Sequence, residues 1–194
     1  EWLGKDAPTF VLDSTDGRRL DLGALRGKKV WVAFFRSVSC PLCNLRVRDM
    51  TDHYKQLTET CDLQILAIFR SPIQVMTQFP HSYEPPFSLL ADPDGKAYDL
   101  FDCKTSVTGV CTGAMSGYIR GEFKRSRKLR GSQRVAPEDE TSRWIMPADF
   151  LIDEEGRVRD AYYGKRVNDH MPFERVLAFS KEHQIGDVKG VDSS

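Results

Sequence analysis

No apolar run in this chain exceeds six residues, Val30 to Phe35, far short of the roughly 20 that a membrane-spanning helix needs. Neither sign of charge is in surplus: Lys plus Arg and Asp plus Glu both total 28. An overall field that would draw the chain to nucleic acid is therefore missing. The cysteines are few and odd in number, five, at 40, 43, 61, 103 and 111. That count, without regular spacing, argues against a disulfide-stapled secreted fold and leads to the expectation of a cytoplasmic protein. No charged-then-apolar leader is visible, although the chain opens on Glu1 rather than on methionine; an exported origin is not excluded. There is no internal repeat, no Gly-rich phosphate loop that would indicate a nucleotide, and no second Cys/His pair to complete a zinc site.

What is present is enough for one α/β domain. A length of 194 residues supports a full core. "VWVAFF" (30–35) and "LQILAIF" (63–69) are apolar on both faces and read as interior parallel strands. A helix is expected over 41–60, another after Ser71-Pro72, and a short one after the turn at Asp94-Gly95. "ADFLIDEEGRVRDAYY" reads as a hairpin turning at Glu155-Gly156, and "PFERVLAFSKEHQ" as a closing amphipathic helix. Residues 102–145 are the least regular stretch and read as an insertion. The expected organisation is one domain over 1–185 and a frayed tail over 186–194. A right-handed crossover makes the two buried strands parallel neighbours, and the late hairpin adds antiparallel. The fold class is thus α/β: a thioredoxin-like sandwich with a central mixed sheet flanked by helices.

Directly after "VWVAFF" stands "SVSCPLCNLR" (37–46). The apolar stripe of the following helix runs Cys43, Val47, Met50, Tyr54, Leu57 and Cys61, in steps of three and four, so Cys43 belongs to the face turned to the sheet. Cys40 falls at the N-cap, with Pro41 at the first helical position, and is expected to face outward. Unpaired amides and the helix dipole favour a thiolate there, and such positions bring a cysteine pKa from about 8.5 down to roughly 3.5–7.5. Arg36 and Arg46 are candidates to add positive potential. Cys40 is therefore the expected attacking thiol, and Cys43 the thiol that reaches back to form a reversible disulfide. Two structural thiols, or half of a metal site, are the competing readings of the pair.

In "FVLDSTDGRRLDLGALRGKKVWVAFFRSVSCPLC", "ADPDGKAYDLF" and "MPADFLIDEEGRVRDAYYG" the chain resembles the peroxiredoxin-like, AhpC/TSA-type group of thioredoxin-like redoxins. The resemblance is mixed in an informative way. Against the peroxiredoxin pattern Pro-x-x-x-Thr-x-x-Cys, Cys40 is preceded by Ser37 in the threonine position and Ala33 in the proline position. Where peroxiredoxins carry an arginine before the "F-(I/L)-I-D" strand, this chain has Pro147, as disulfide reductases do. The resemblance implies a cis Met146–Pro147 bond beside the cysteines and a Met146 backbone that pairs with a bound substrate chain. It also implies substrate positioning by Ser37, Pro41, Met146 and Pro147. It favours disulfide exchange, with peroxide reduction less efficient, and a dithiol reductant such as a thioredoxin or glutathione system.

The expected function is a thiol–disulfide oxidoreductase that needs no organic cofactor or metal. A thiol peroxidase in the same fold is the nearest alternative. A copper(I) chaperone or a redox sensor without turnover are alternatives of another class. Between Tyr118 and Arg134 lie seven basic residues and one acid, Glu122. Met115, Tyr118, Ile119 and Phe123 are expected to form an apolar face that packs on the domain; docking of an acidic partner or of an anionic membrane is the alternative. Cys103 and Cys111 are candidate auxiliary thiols, expected to stay reduced. Cys61 is expected to be inert packing, and neither His53 nor His170 receives a role.

Overall fold

The two runs that are apolar on both faces, β3 (Val30–Phe35) and β4 (Gln64–Phe69), lie parallel at the centre of a seven-stranded sheet. This computed structural model describes residues 2–59, 61–78, 84–130 and 143–182. The remaining strands are β1 (Val11–Ser14), β2 (Arg19–Asp21), β5 (Ser88–Ala91), β6 (Ala148–Ile152) and β7 (Val158–Tyr163). Their order is β2-β1-β5-β4-β3-β6-β7. β5 runs parallel to β4, whereas β1 joins β5, and β6 joins β3, antiparallel. The late hairpin completes one edge, turning through Gly156 at φ 82°. This is the α/β architecture expected from the order of elements.

Side-chain alternation along β3 feeds two cores. Trp31, Ala33 and Phe35 point into the layer beneath α1 (Pro41–Thr58) and α6 (Phe173–Lys181). Val30, Val32 and Phe34 point into the other layer, where Phe34, Phe101 and Phe150 pack their rings with centroids 4.8–6.0 Å apart. The predicted stripe of α1 holds: Cys43, Val47, Met50 and Leu57 are buried and Tyr54 is half-buried. The helix stops at Thr58, short of Cys61. α2 (Ile73–Gln78) and α3 (Lys96–Leu100) are short.

The insertion is more regular than its composition suggested. It contains α4 (Val107–Ile119), capped by Ser106 Oγ on the Gly109 amide at 3.0 Å, and α5 (Glu122–Arg130). Gly121, at φ 71°, makes the turn between them. The acidic "PEDE" and the tail from 186 lie outside the described residues.

The face of α4 that packs inward is not the predicted one. Gly109, Val110, Gly113 and Gly117 are buried, while Met115, Tyr118 and Ile119 are exposed; only Phe123 of the expected set packs on the core. The reason is steric. A methyl added to Gly109 would stand 2.5 Å from Met146 Cε, and one on Gly117 3.1 Å from Leu42 Cδ2. Only residues without a side chain allow this helix so close to the core, and the bulky side chains must turn outward.

Candidate redox active site

The turn after β3 delivers Cys40 to the N-cap of α1 and places Pro41 at its first position. Cys40 Sγ accepts from the Cys43 amide at 3.4 Å and from Arg36 Nη1 at 3.9 Å. The Cys43 thiol also donates to it, and this is the main reason its pKa is brought down to about 7; burial opposes the shift, and the Arg36 charge and the Cys43 and Leu42 amides add to it. The Cys43 thiol moves the opposite way. Burial pushes it well above its ordinary value, and the neighbouring Cys40 reinforces the rise. The two thiols are thus displaced in opposite directions, three residues apart on one turn. All five cysteines are free, so this is the reduced form of the pair.

Four expectations for the site need correction. Cys40 does not face outward: it is 1% exposed and Cys43 2%. Leu42, Val110 and Met146 belong to the same buried cluster, so α4 and the segment before β6 close over the sulfurs. The Met146–Pro147 bond is trans, since no described peptide bond is cis. The segment is held in place by hydrogen bonds instead. The Met146 amide donates to the Lys104 carbonyl at 2.9 Å and the Ser106 amide to the Trp144 carbonyl at 2.8 Å. Of the Met146 backbone expected to pair with a substrate chain, the N–H is occupied by the chain's own approach to α4.

Arg46, finally, does not support the thiols. Its Nη2 donates to the Met171 carbonyl at 2.6 Å, and its guanidinium lies over the Phe173 ring at 4.0 Å. Ser37 is buried and shares a 2.9 Å hydrogen bond with Ser39 Oγ; its carbonyl accepts from the Cys40 amide at 3.1 Å. Pro147 leads into β6, and its carbonyl accepts from Gly164.

Cys103 and Cys111 are not brought together as a pair. Cys103 packs against the core on the far side of the sheet, where burial holds its pKa well up, and Cys111 stands exposed on α4. Cys61 is half-buried beside the core, with a pKa raised by burial. Among the described residues no group of three or more His, Cys, Asp and Glu side chains is placed to hold a metal ion.

The sequence reading missed a buried polar cluster under α1. Asp149 on β6 accepts from Trp31 Nε1 at 3.1 Å and from the Met171 amide at 3.0 Å, and its Oδ2 lies 3.0 Å from His170 Nδ1. Burial alone would raise its pKa, but His170 and Arg46 outweigh that and hold it below the ordinary carboxylate value. An acid inside the otherwise apolar "ADFLI" was the available signal.

A cysteine pair astride the first turn of a helix that leaves a central parallel strand, with the sulfurs polarised in opposite directions, defines a thiol oxidoreductase of the thioredoxin-like class. The chain belongs to the AhpC/TSA family, which it matches over residues 3–161. It is 25% identical over 169 residues to a Coxiella burnetii protein named for peroxiredoxin bcp, covering 87% of this chain and 93% of that one. It is 32% identical over 100 residues to the thiol-disulfide oxidoreductase ResA of Bacillus subtilis, covering 51% of this chain and 55% of ResA. Among solved structures, peroxidoxin BcpB from Mycobacterium tuberculosis superposes with a TM-score of 0.64 at 17% identity, over 92% of this chain and 96% of the other, a likeness of fold. No helix among the described residues is long and apolar enough to cross a membrane.

Proposed function

We propose that Cys40 and Cys43 run a dithiol–disulfide cycle that reduces disulfides. The Cys40 thiolate attacks one sulfur of the substrate disulfide, forming a mixed disulfide and releasing the other sulfur as a thiolate. Cys43 then loses its proton and attacks Cys40 Sγ; the Cys40–Cys43 bond forms and the second substrate sulfur leaves. A dithiol reductant of the thioredoxin or glutathione kind returns two electrons and two protons to the pair. Ser37 and Pro41 set the turn that holds Cys40, and Met146 and Pro147 form the wall against which a substrate sulfur would sit. The observation that carries this reading is Cys40 at the N-cap of α1, its Sγ accepting from the Cys43 amide at 3.4 Å, with the two thiol pKa values displaced in opposite directions. We also infer that residues 1–185 act as one unit, since strands from both sides of the insertion share one sheet.

One observation favours a second substrate. Both sulfurs are buried and the Met146 amide is taken, an arrangement that admits a hydroperoxide more readily than a protein disulfide. Attack of the Cys40 thiolate on the peroxide would break the O–O bond, giving a Cys40 sulfenic acid and releasing water or an alcohol; Cys43 then condenses with the sulfenic acid to the same disulfide with loss of water. Stopped-flow oxidation of the reduced protein by hydrogen peroxide, set beside reduction of insulin-type disulfides, separates the two. Rapid peroxide-specific oxidation with negligible disulfide reduction would replace the first reading by the second.

A further inference from the structure

The turned-out face of α4 has no role in the chemistry at Cys40. Between Thr105 and Ile119 the sequence contains no charged residue. The inward side of the helix is glycine and valine, and the outward side carries Val107, Cys111, Met115 and Tyr118 at steps of four, four and three, with Ile119 beside them. All five are exposed; Met115 is 63%, Tyr118 76% and Ile119 76% accessible. Contiguous exposed apolar surface usually marks an interaction site.

A second feature is continuous with the first. Arg120 and Gly121 form the tip of the hairpin, and the exposed side of α5 carries Lys124, Arg125 and Arg127. Arg125 is paired with Asp49, and the lone acid of this stretch, Glu122, is turned inward to accept from Asn168 Nδ2 at 2.9 Å. Arg120, Lys124 and Arg127 are exposed, and Arg120 directly follows Tyr118 and Ile119 in the chain. Elsewhere in the sequence acids outnumber bases. Protruding apolar side chains on a hairpin tip, rimmed by cations, fit a plane that has anionic headgroups over an apolar interior. An acidic protein would satisfy the cations but would leave Tyr118 and Ile119 without an apolar counterpart.

We propose that the α4–α5 hairpin seats this protein on an anionic lipid surface, with Tyr118 and Ile119 entering the headgroup layer while Arg120, Lys124 and Arg127 meet lipid phosphates. The contact is peripheral and reversible, since three cations and two apolar side chains supply a modest attraction.

The test is co-sedimentation of the full chain with phosphatidylcholine vesicles, with and without phosphatidylglycerol. Binding is expected only when phosphatidylglycerol is present and should weaken with added salt. Lys124→Glu with Arg127→Glu should reduce partitioning at least about tenfold, and Tyr118→Ser with Ile119→Ser by roughly as much. Both pairs should retain the parent rate on a small soluble disulfide, which shows that they fold, and Cys40→Ser should bind vesicles like the parent. Equal binding to both vesicle types, no binding to either, or self-association that Ile119→Ser abolishes would overturn the proposal. So would binding to polyglutamate in place of anionic vesicles.

Discussion

Gly113 of α4 lies so close to Val167 that an added methyl would stand 2.7 Å from its amide nitrogen. Beside it the Val167 amide donates to the Gly109 carbonyl at 3.2 Å. This backbone-to-backbone contact holds the helix that closes over Cys40. In an isolated helix Gly→Ala would stabilise by about 1 kcal/mol, but here the methyl meets main chain that cannot swing aside. Gly113→Ala is expected to lift α4, lower the melting temperature and speed alkylation of Cys40 roughly tenfold, the last as local opening becomes easier. Unchanged alkylation by mass spectrometry would show that α4 does not limit access.

Cys40 should titrate as the more acidic thiol. Labelling with a haloacetamide is expected to rise with pH through a midpoint of about 7. Cys43→Ala removes the strongest stabilising contact and should move the midpoint up, and Arg36→Ala should move it up less. The linkage follows in sign. Cys40 has a folded pKa below its ordinary 9.0, so the stability from its thiolate is complete above pH 9 and is lost as pH falls through 7. Cys43, displaced upward, destabilises the reduced fold as pH rises beyond its ordinary value.

Replacing the second thiol should interrupt the cycle after attack. Cys43→Ser is expected to accumulate a mixed disulfide between Cys40 and the substrate thiol, visible as an added mass removed by dithiothreitol. Cys40→Ser should show neither adduct nor turnover. Replacement of Cys103 or Cys111 should leave turnover unchanged, since neither lies with the pair.

Asp149 joins β6 to the chain before α6 through the Met171 amide and the His170 ring, and the Arg46 charge on α1 acts on it. Asp149→Asn leaves Arg46 without that buried counter-charge and should cost about 3 kcal/mol, measured by denaturant unfolding. Because the folded carboxyl pKa is lowered, its contribution is present above the ordinary value of 3.8 and lost as pH falls through the folded value. The gap between parent and variant should therefore narrow in acid.

Much of the fold was legible because its signals are local. Six consecutive apolar residues, short and rich in β-branched and aromatic types, read as a strand buried on both faces, and the three-and-four spacing from Cys43 to Leu57 orients α1 without reference to any other segment. The order of strands and helices then leaves few ways to connect them. The insertion misleads because its large apolar residues read as the packing face. Its helix packs through glycines, whose role depends on how near Met146, Val167 and Leu42 come.

The primary structure alone determined that Cys40 caps a helix and that Cys43 lies on its buried face, since capping and helical periodicity depend on neighbours along the chain. Tertiary structure decided the rest: that Cys40 is covered, that Arg36 and not Arg46 reaches its sulfur, that Lys104 occupies the Met146 amide, and that Asp149 gathers Trp31, His170 and Met171 under α1. Apart from the Arg36 contact, four residues from Cys40, those outcomes depend on atoms 21 to 125 residues apart in the chain, whose approach is set by how closely whole elements pack, and short-range sequence pattern carries no measure of that distance.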